Sequence, residues 1–212
     1  MRLDHVSYAT SPAELGEVVQ RLGAAVGAPF VDGGVHPRFG TRNFVLPLAG
    51  GSYLEVVAAL DHPAAETAPF GRAVRGRAEM GGGWLAWVVA VDAVDEVEAR
   101  LGRAAAPGNR RRPDGIELRW RQIGVLDVID DPSLPFFVQW LVGPELHPSA
   151  GARTDLRIDR LEMAGDPAAV AEWLGPDGAG VLDQISIEWV DAPEPGLVAV
   201  QVATPRGPVR LD

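Results

Sequence analysis

Leu3-Asp4-His5-Val6 and Tyr53-Leu54-Glu55-Val56-Val57 begin and end the stretch that decides the fold of this 212-residue chain. Both segments have the apolar, β-branched composition of strands. Each also carries a polar side chain, His5 in the first and Glu55 in the second. An imidazole and a carboxylate set in apolar strands are groups from which metal sites and acid–base pairs are built. The stretch therefore predicts a functional site on a sheet.

A strand, a helix and further strands follow one another three times along the chain. The first round occupies residues 1–60 and ends in a predicted hairpin around Gly50-Gly51. The second occupies residues 84–142, after a linker rich in Ala, Gly and Arg at 61–83. The third, at 156–212, is shorter, with strands predicted at Gln184–Val190, Leu197–Ala203 and Val209–Leu211. The pattern predicts an α+β fold of two βαβββ modules with a partial third βαββ copy on the same domain.

Composition narrows the classes of function. The net charge of −10 disfavours binding to nucleic acids and to anionic membrane surfaces, which both require a basic surface. The chain has no cysteine, so disulfides, thiolate nucleophiles and Cys-ligated zinc are excluded. It has no lysine either, since all 19 basic residues are arginine, which excludes Schiff-base chemistry. A small molecule is the expected partner.

The expected location is the cytoplasm. Met1 leads directly into the first strand pattern, and no charged and apolar leader with a cleavage site precedes it. No apolar run reaches the length of about 18 residues that a membrane-spanning helix needs.

The whole stretch from Leu3 to Val57, including the glycine-rich segment Gly33–Asn43, resembles the glyoxalase-like branch of the vicinal oxygen chelate superfamily. The resemblance covers residues 2–60 and, less closely, 84–142. It implies that the paired modules form a cupped mixed sheet around one divalent metal ion. It also implies that the ligands come from the first and last strands of each module, where His5 and Glu55 match the two positions of the first module.

The second module departs from that pattern. Aligning its first strand with that of the first module puts Trp87 at the third ligand position, and an indole cannot coordinate a metal. The same comparison of the last strands puts Gln139, a weak neutral ligand, at the fourth position. The resemblance thus implies a site of His5, Glu55, Gln139 and water for Zn, Ni, Co, Mn or Fe, or a site without metal. Without metal, His5 and Glu55 would act as an acid–base pair or orient a ligand.

Aromatic side chains accompany these positions. Tyr53, Trp87 and Phe137 are expected to line the cup, although ordinary core packing is the alternative for all three. Thr41 and Asn43 share a face at the mouth of a strand, where they would contact a ligand or bond to nearby backbone.

Three further segments are predicted to have no part in the site. Arg110-Arg111-Arg112 is predicted to be a solvated loop, with an anion clamp as the alternative. His36-Pro37 and His147-Pro148 are predicted to be turn residues.

These features favour a metal-dependent enzyme acting on a small oxygenated substrate, of lyase, isomerase or dioxygenase type, with Glu55 and His5 as the catalytic residues. Lactoylglutathione lyase activity is not implied, because the third ligand is missing. The alternative is a metal-free protein that sequesters a small molecule in an aromatic cup. A third hypothesis is a scaffold whose modules serve oligomerisation, and a homodimer is compatible with all three.

Overall fold

The structure is a computed structural model that describes residues 1–150, 152, 154–183 and 185–212. Gln184, the first residue of a predicted strand, lies outside the described residues. The described strands are β1 Arg2–Thr10, β2 Val31–His36, β3 Thr41–Pro47, β4 Tyr53–Ala59, β5 Gly83–Ala90, β6 Ala106–Arg111, β7 Glu117–Ile123, β8 Phe136–Trp140, β9 Arg157–Ala164, β10 Ser186–Trp189, β11 Gly196–Thr204 and β12 Gly207–Leu211. The helices are α1 Leu15–Val26, α2 Pro63–Thr67, α3 Pro69–Glu79, α4 Val94–Leu101, α5 Val125–Asp130, α6 Pro167–Leu174 and α7 Ala179–Leu182.

The first two modules have the same internal arrangement. In the first, β1 lies parallel to β4, and β3 and β2 follow as antiparallel neighbours. In the second, β5 lies parallel to β8, and β7 and β6 follow in the same way. The predicted α+β fold with paired modules and a curled mixed sheet is confirmed.

The eight strands form a closed sheet, because the modules meet along two lines. The first strands β1 and β5 pair antiparallel over most of their length. On the other side β2 meets β6 through the pair Val35 and Arg111. The inner face of this closed sheet therefore surrounds one enclosed space.

The segment 61–83 contains the two helices α2 and α3, although the sequence predicted a linker there. Pro63 and Pro69 occupy the first positions of these helices, where proline needs no hydrogen-bond partner for its nitrogen. The helices bury Ala65, Phe70 and Val74 against the inner face of the closed sheet. They thus cover one opening of the enclosed space.

The third unit builds a separate four-stranded sheet in the order β10, β9, β11, β12. Here β10, the first strand after the helices, lies parallel beside β9. In the first two modules it is the last strand, β4 or β8, that lies parallel beside the first strand. The third unit repeats the order of elements but not their pairing. Helices α1 and α4 and the second sheet pack on the outer face of the closed sheet.

None of the described helices is both long enough and apolar enough to cross a membrane.

Candidate functional site

A bulge in β1 places Asp4 beside His5. Leu3 pairs with Val89 and His5 with Val88, so β1 has one residue more than β5 at this point. In a regular strand Asp4 and His5 would face opposite sides of the sheet. A bulge redirects a side chain, and here Oδ2 of Asp4 lies 2.8 Å from Nδ1 of His5.

Asp4 is fully buried and is bound from several sides. His147 Nε2 lies 3.0 Å and Trp140 Nε1 3.1 Å from Oδ1. Burial by itself raises the pKa of Asp4, but the hydrogen bonds from His147 and His5 outweigh it. The pKa of this carboxyl is held well below its usual range, and Asp4 is a carboxylate at neutral pH.

The charge on Asp4 fixes the tautomer of neutral His5. A carboxylate only accepts hydrogen bonds, so Nδ1 of His5 carries the proton that it donates to Asp4. Nε2 is then the free acceptor of the ring, and it lies 3.9 Å from Oε2 of Glu55. The ring of Tyr53 stacks on the imidazole, with centroids 4.4 Å apart, and holds it in this orientation.

Glu55 is a buried carboxylate held by two donors. Ser7 Oγ donates to Oε2 over 2.5 Å, and Asn43 Nδ2 donates to Oε1 over 2.6 Å. Burial raises the pKa of Glu55, but His5, His36 and the two donors together lower it below its ordinary value. Glu55 is ionised, so when the His5 ring is neutral the 3.9 Å gap to its Nε2 separates two acceptors. Such a gap suits a ligand or water that brings a proton.

His36 ends β2 and faces the same space. Its Nδ1 lies 2.8 Å from Oγ1 of Thr41, the first residue of β3. Burial lowers the pKa of His36 to about 4, although the charge of Glu55 opposes the shift. His36 is therefore a neutral imidazole at neutral pH.

This shift predicts a loss of stability in mild acid. Between pH 6.5 and about 4 the unfolded chain protonates His36 and the folded chain does not, so the free energy of unfolding falls as the pH falls. The shift corresponds to about 3 kcal/mol over the whole window. Urea unfolding at several pH values should show that the free energy of unfolding falls less steeply toward low pH in His36→Gln than in the wild type. The lowered pKa of His36 would be contradicted if the free energy of unfolding depended on pH in the same way in His36→Gln, in the wild type and in the exposed control His62→Asn.

These side chains meet in a small cavity enclosed by the closed sheet and α3. The space open to the centres of water molecules is about 30 Å³. The polar lining comes from His5, His36, Tyr53, Glu55, Arg110 and Gln122. The apolar wall comes from Phe39, Phe70, Trp120, Phe136, Val138 and Trp140.

The predicted site residues fall into three groups. His5, Glu55 and Tyr53 line the cavity as predicted. Thr41 and Asn43 are buried behind it, where they bind His36 and Glu55.

The third group, Trp87, Phe137 and Gln139, lies outside the cavity, contrary to the predicted placement. Trp87 and Phe137 pack in the outer core, and the Trp87 indole donates to the carbonyl of Ser133. Gln139 binds the backbone of Asp92 on the outer side of the sheet. Strand residues alternate between faces, so an alignment shifted by one residue exchanges the inner and outer positions.

The strand register identifies the equivalent positions of the second module. His5 lies opposite Val88 at the junction of the modules. Ser7 pairs with Glu55 in the first module, as Ala90 pairs with Val138 in the second. The counterparts of His5 and Glu55 are therefore two valines, which cannot bind a metal. In the described part of the chain no three His, Cys, Asp or Glu side chains are grouped to hold a metal ion. The residues do not fit the metal centre that the resemblance implied.

Adding an imidazole at the equivalent position should create metal affinity. Val88 packs in the inner cluster with Phe136 and Val138, so we expect Val88→His to place a third strong ligand near His5 and Glu55. Calorimetric titration should then detect stoichiometric Zn, Ni or Co, metals that favour imidazole. The neighbouring variant Trp87→His is the matched control and should gain nothing, because Trp87 faces the outer core. Equal metal affinity in the two variants would contradict the register.

Sequence reasoning gave no part in the site to Asp4, His36, Gln122 and His147, and gave one to Arg110 only as the alternative of an anion clamp. His36 and Arg110 lie on strands that were predicted to be a turn and a solvated loop. His147 follows a proline-containing turn, but it is buried against Asp4. The one available signal was the repeat itself, because a second module built like the first needs a strand near 106–111.

The α+β fold of paired modules is that of the vicinal oxygen chelate superfamily. The glyoxalase-like domain family matches residues 3–177, and the chain belongs to this family. No curated protein matches the chain.

Solved structures are similar to this chain at low identity. A hypothetical protein from Staphylococcus aureus is 15% identical, with a TM-score of 0.56 over 100% of this chain and 85% of that one. Methylmalonyl-CoA epimerase from Mycobacterium tuberculosis is 16% identical, with a TM-score of 0.45 over 68% of this chain and 90% of that one. A variant of methylmalonyl-CoA epimerase from Streptomyces coelicolor, in complex with 2-nitronate-propionyl-CoA, is 18% identical, with a TM-score of 0.42 over 66% and 93%.

Proposed function

We propose that this chain is an enzyme that moves a proton to and from a small oxygenated molecule bound in the enclosed cavity, with His5 as the base. One observation carries the proposal. The free nitrogen Nε2 of His5 faces the ionised Glu55 across 3.9 Å, while Asp4 holds the other ring nitrogen. A carboxylate that orients a histidine toward a reaction site is a recurring device of general base catalysis.

The arrangement supports proton transfer at a carbon next to a carbonyl group. Nε2 of His5 takes the proton, and the electron pair of the broken C–H bond moves onto the carbonyl oxygen. The imidazolium that forms lies between two carboxylates, Asp4 and Glu55, which stabilise its charge. Return of the proton to the same or a neighbouring carbon gives isotope exchange or isomerisation.

The same reaction with a divalent metal would need ligands that the described residues do not supply. Val88 and Val138 occupy the equivalent positions of the second module, and Gln139 lies outside the cavity. The proposed role of Glu55 is therefore to stabilise charge, with no step through a metal ion.

A binding protein without chemistry is the second candidate, and the lining of the cavity favours it. Aromatic side chains such as Phe70, Trp120 and Phe136 form most of the wall, as is usual where a flat apolar ligand is held. The two candidates differ in what happens to the bound molecule.

Isotope exchange separates the two candidates. Pyruvate, 2-oxobutyrate, hydroxyacetone and dihydroxyacetone would be incubated in D₂O with protein dialysed against chelator, and the C–H signals followed by NMR. We expect exchange of at least one compound at a rate well above that with His5→Asn. Compounds that bind without exchange would replace the proposal by the binding protein, and exchange that depends on added Zn, Ni or Co would replace it by the metal enzyme.

A further inference from the structure

We infer that Arg110 is the receptor for a carboxylate group of the ligand, so that the cavity takes small carboxylic acids. The inference rests on the proposed function in taking this cavity as the ligand site, and it adds the chemical class of the ligand.

Arg110 is a charged side chain inside the molecule. It lies on β6 with 3% of its surface exposed, and it lines the cavity with His5 and Glu55. Its neighbour Arg111 is exposed, because the strand alternates between the two faces of the sheet. The buried guanidinium thus belongs to the inner face by the register of the strand.

No other described residue compensates this charge by direct contact. Nε of Arg110 is buried without a hydrogen-bond partner among the described residues, and no carboxylate among them lies within ion-pair distance of the guanidinium. Glu55, which lines the same cavity, already accepts hydrogen bonds from Ser7 and Asn43. Burial lowers the pKa of Arg110, but a guanidinium keeps its proton in proteins. The charges of Glu55 and Asp32 favour the guanidinium only from beyond ion-pair distance, so an anionic ligand that contacts it directly would complete the pairing of this buried charge.

The backbone opposite Arg110 leaves room for its guanidinium. A methyl group added at Gly33 would lie 3.1 Å from a terminal nitrogen of Arg110 and 2.2 Å from Oδ1 of Asn43. Oδ1 of Asn43 is also buried without a partner among the described residues. The absence of a side chain at Gly33 therefore keeps space around two polar groups that still need partners.

The geometry of the cavity favours a carboxylate over other anions. A guanidinium is a planar fork that matches the two oxygens of a carboxylate. The cavity is small and walled by flat aromatic rings such as Trp120 and Phe136, which suits a planar group better than a tetrahedral phosphate. A carboxylate on Arg110 would also keep the rest of a small ligand beside His5 and Glu55, which line the same space.

The test compares a carboxylate with its neutral analogue. Pyruvate, pyruvamide and inorganic phosphate would be titrated into the wild type, Arg110→Gln, Arg110→Lys and Arg111→Gln, with protein NMR shifts as the readout and circular dichroism as the check on folding. We expect the wild type to bind pyruvate at least tenfold more tightly than pyruvamide or phosphate. Arg110→Gln should lose this preference, Arg110→Lys should keep part of it, and the matched control Arg111→Gln should keep all of it.

The outcomes distinguish this inference from the proposed function. Equal affinity of the wild type for pyruvate and pyruvamide, no saturable binding of pyruvate, or equal losses in Arg110→Gln and Arg111→Gln would overturn the inference, whatever the exchange assay shows. Tighter binding of phosphate than of pyruvate would overturn the choice of a carboxylate. A preference for pyruvate that depends on Arg110, found without any isotope exchange, would leave the inference standing and remove the proposed function. If Arg110→Gln does not fold, the comparison of Arg110→Lys with Arg111→Gln decides the question.

Discussion

Replacing His5 with asparagine should lower the rate of isotope exchange by about 10²–10⁴-fold, the range expected when a general base is removed. An asparagine amide can still donate a hydrogen bond to Asp4, so the buried carboxylate keeps a partner at this position. The amide has no basic nitrogen, however, and cannot take the proton that Nε2 of His5 receives. NMR rates in D₂O at saturating substrate would measure the effect, and substrate affinity should change far less than the rate.

His147→Asn is the matched control for this prediction. His147 binds the same carboxylate as His5, with Nε2 3.0 Å from Oδ1 of Asp4, but it does not line the cavity. Its replacement disturbs Asp4 in a similar way without removing the proposed base, so we expect a loss of less than about tenfold. Equal losses in the two variants would show that the exchange depends on the environment of Asp4 and not on proton transfer by His5.

The sequence predicted the strands that have an apolar face and missed β2 and β6, which are polar. β2 contains Asp32, Gly33 and Gly34, and β6 runs from Ala106 through Pro107 and Gly108 to Arg111. Neither has the alternation of apolar and polar residues from which a half-buried strand is recognised. Their inner faces contribute His36 and Arg110 to the cavity. The polar composition that brings these strands into the candidate site therefore also conceals them in the sequence.

The candidate site residues His5 and Glu55 could be predicted because they stand out in apolar strands. The residues that support them could not, because their positions depend on strand pairing. The extra residue in β1 that turns Asp4 toward His5 arises from the register with β5 and has no signature in β1 alone. The same register decides that Val88, and not Trp87, faces inward. A shift of one residue reverses every inner and outer position of a strand, so alignment by resemblance could not decide between these two neighbours.

Asp4→Ala should lower the free energy of unfolding by about 3–5 kcal/mol, the usual cost of removing one partner from a buried charged network. The substitution removes the acceptor that His5, His147 and the partly buried Trp140 share in the wild type. Because the pKa of Asp4 is lowered in the folded state, its contribution to stability is complete above the unfolded pKa of about 3.8 and is lost only as the pH falls through the lower folded value. Urea unfolding at pH 7 therefore measures the full effect.

Two further variants determine whether the loss of stability in Asp4→Ala comes from the missing charge or from the space that the side chain leaves. Asp4→Asn preserves the size of the side chain, but its amide offers one acceptor oxygen where the carboxylate has two, so we expect a loss of stability between those of the wild type and Asp4→Ala. Asp61→Ala removes an exposed aspartate and should change stability little. If Asp4→Asn proved as stable as the wild type, the buried charge would not be what holds His5 and His147 in place. The tautomer of His5, on which the proposed base depends, would then need another support.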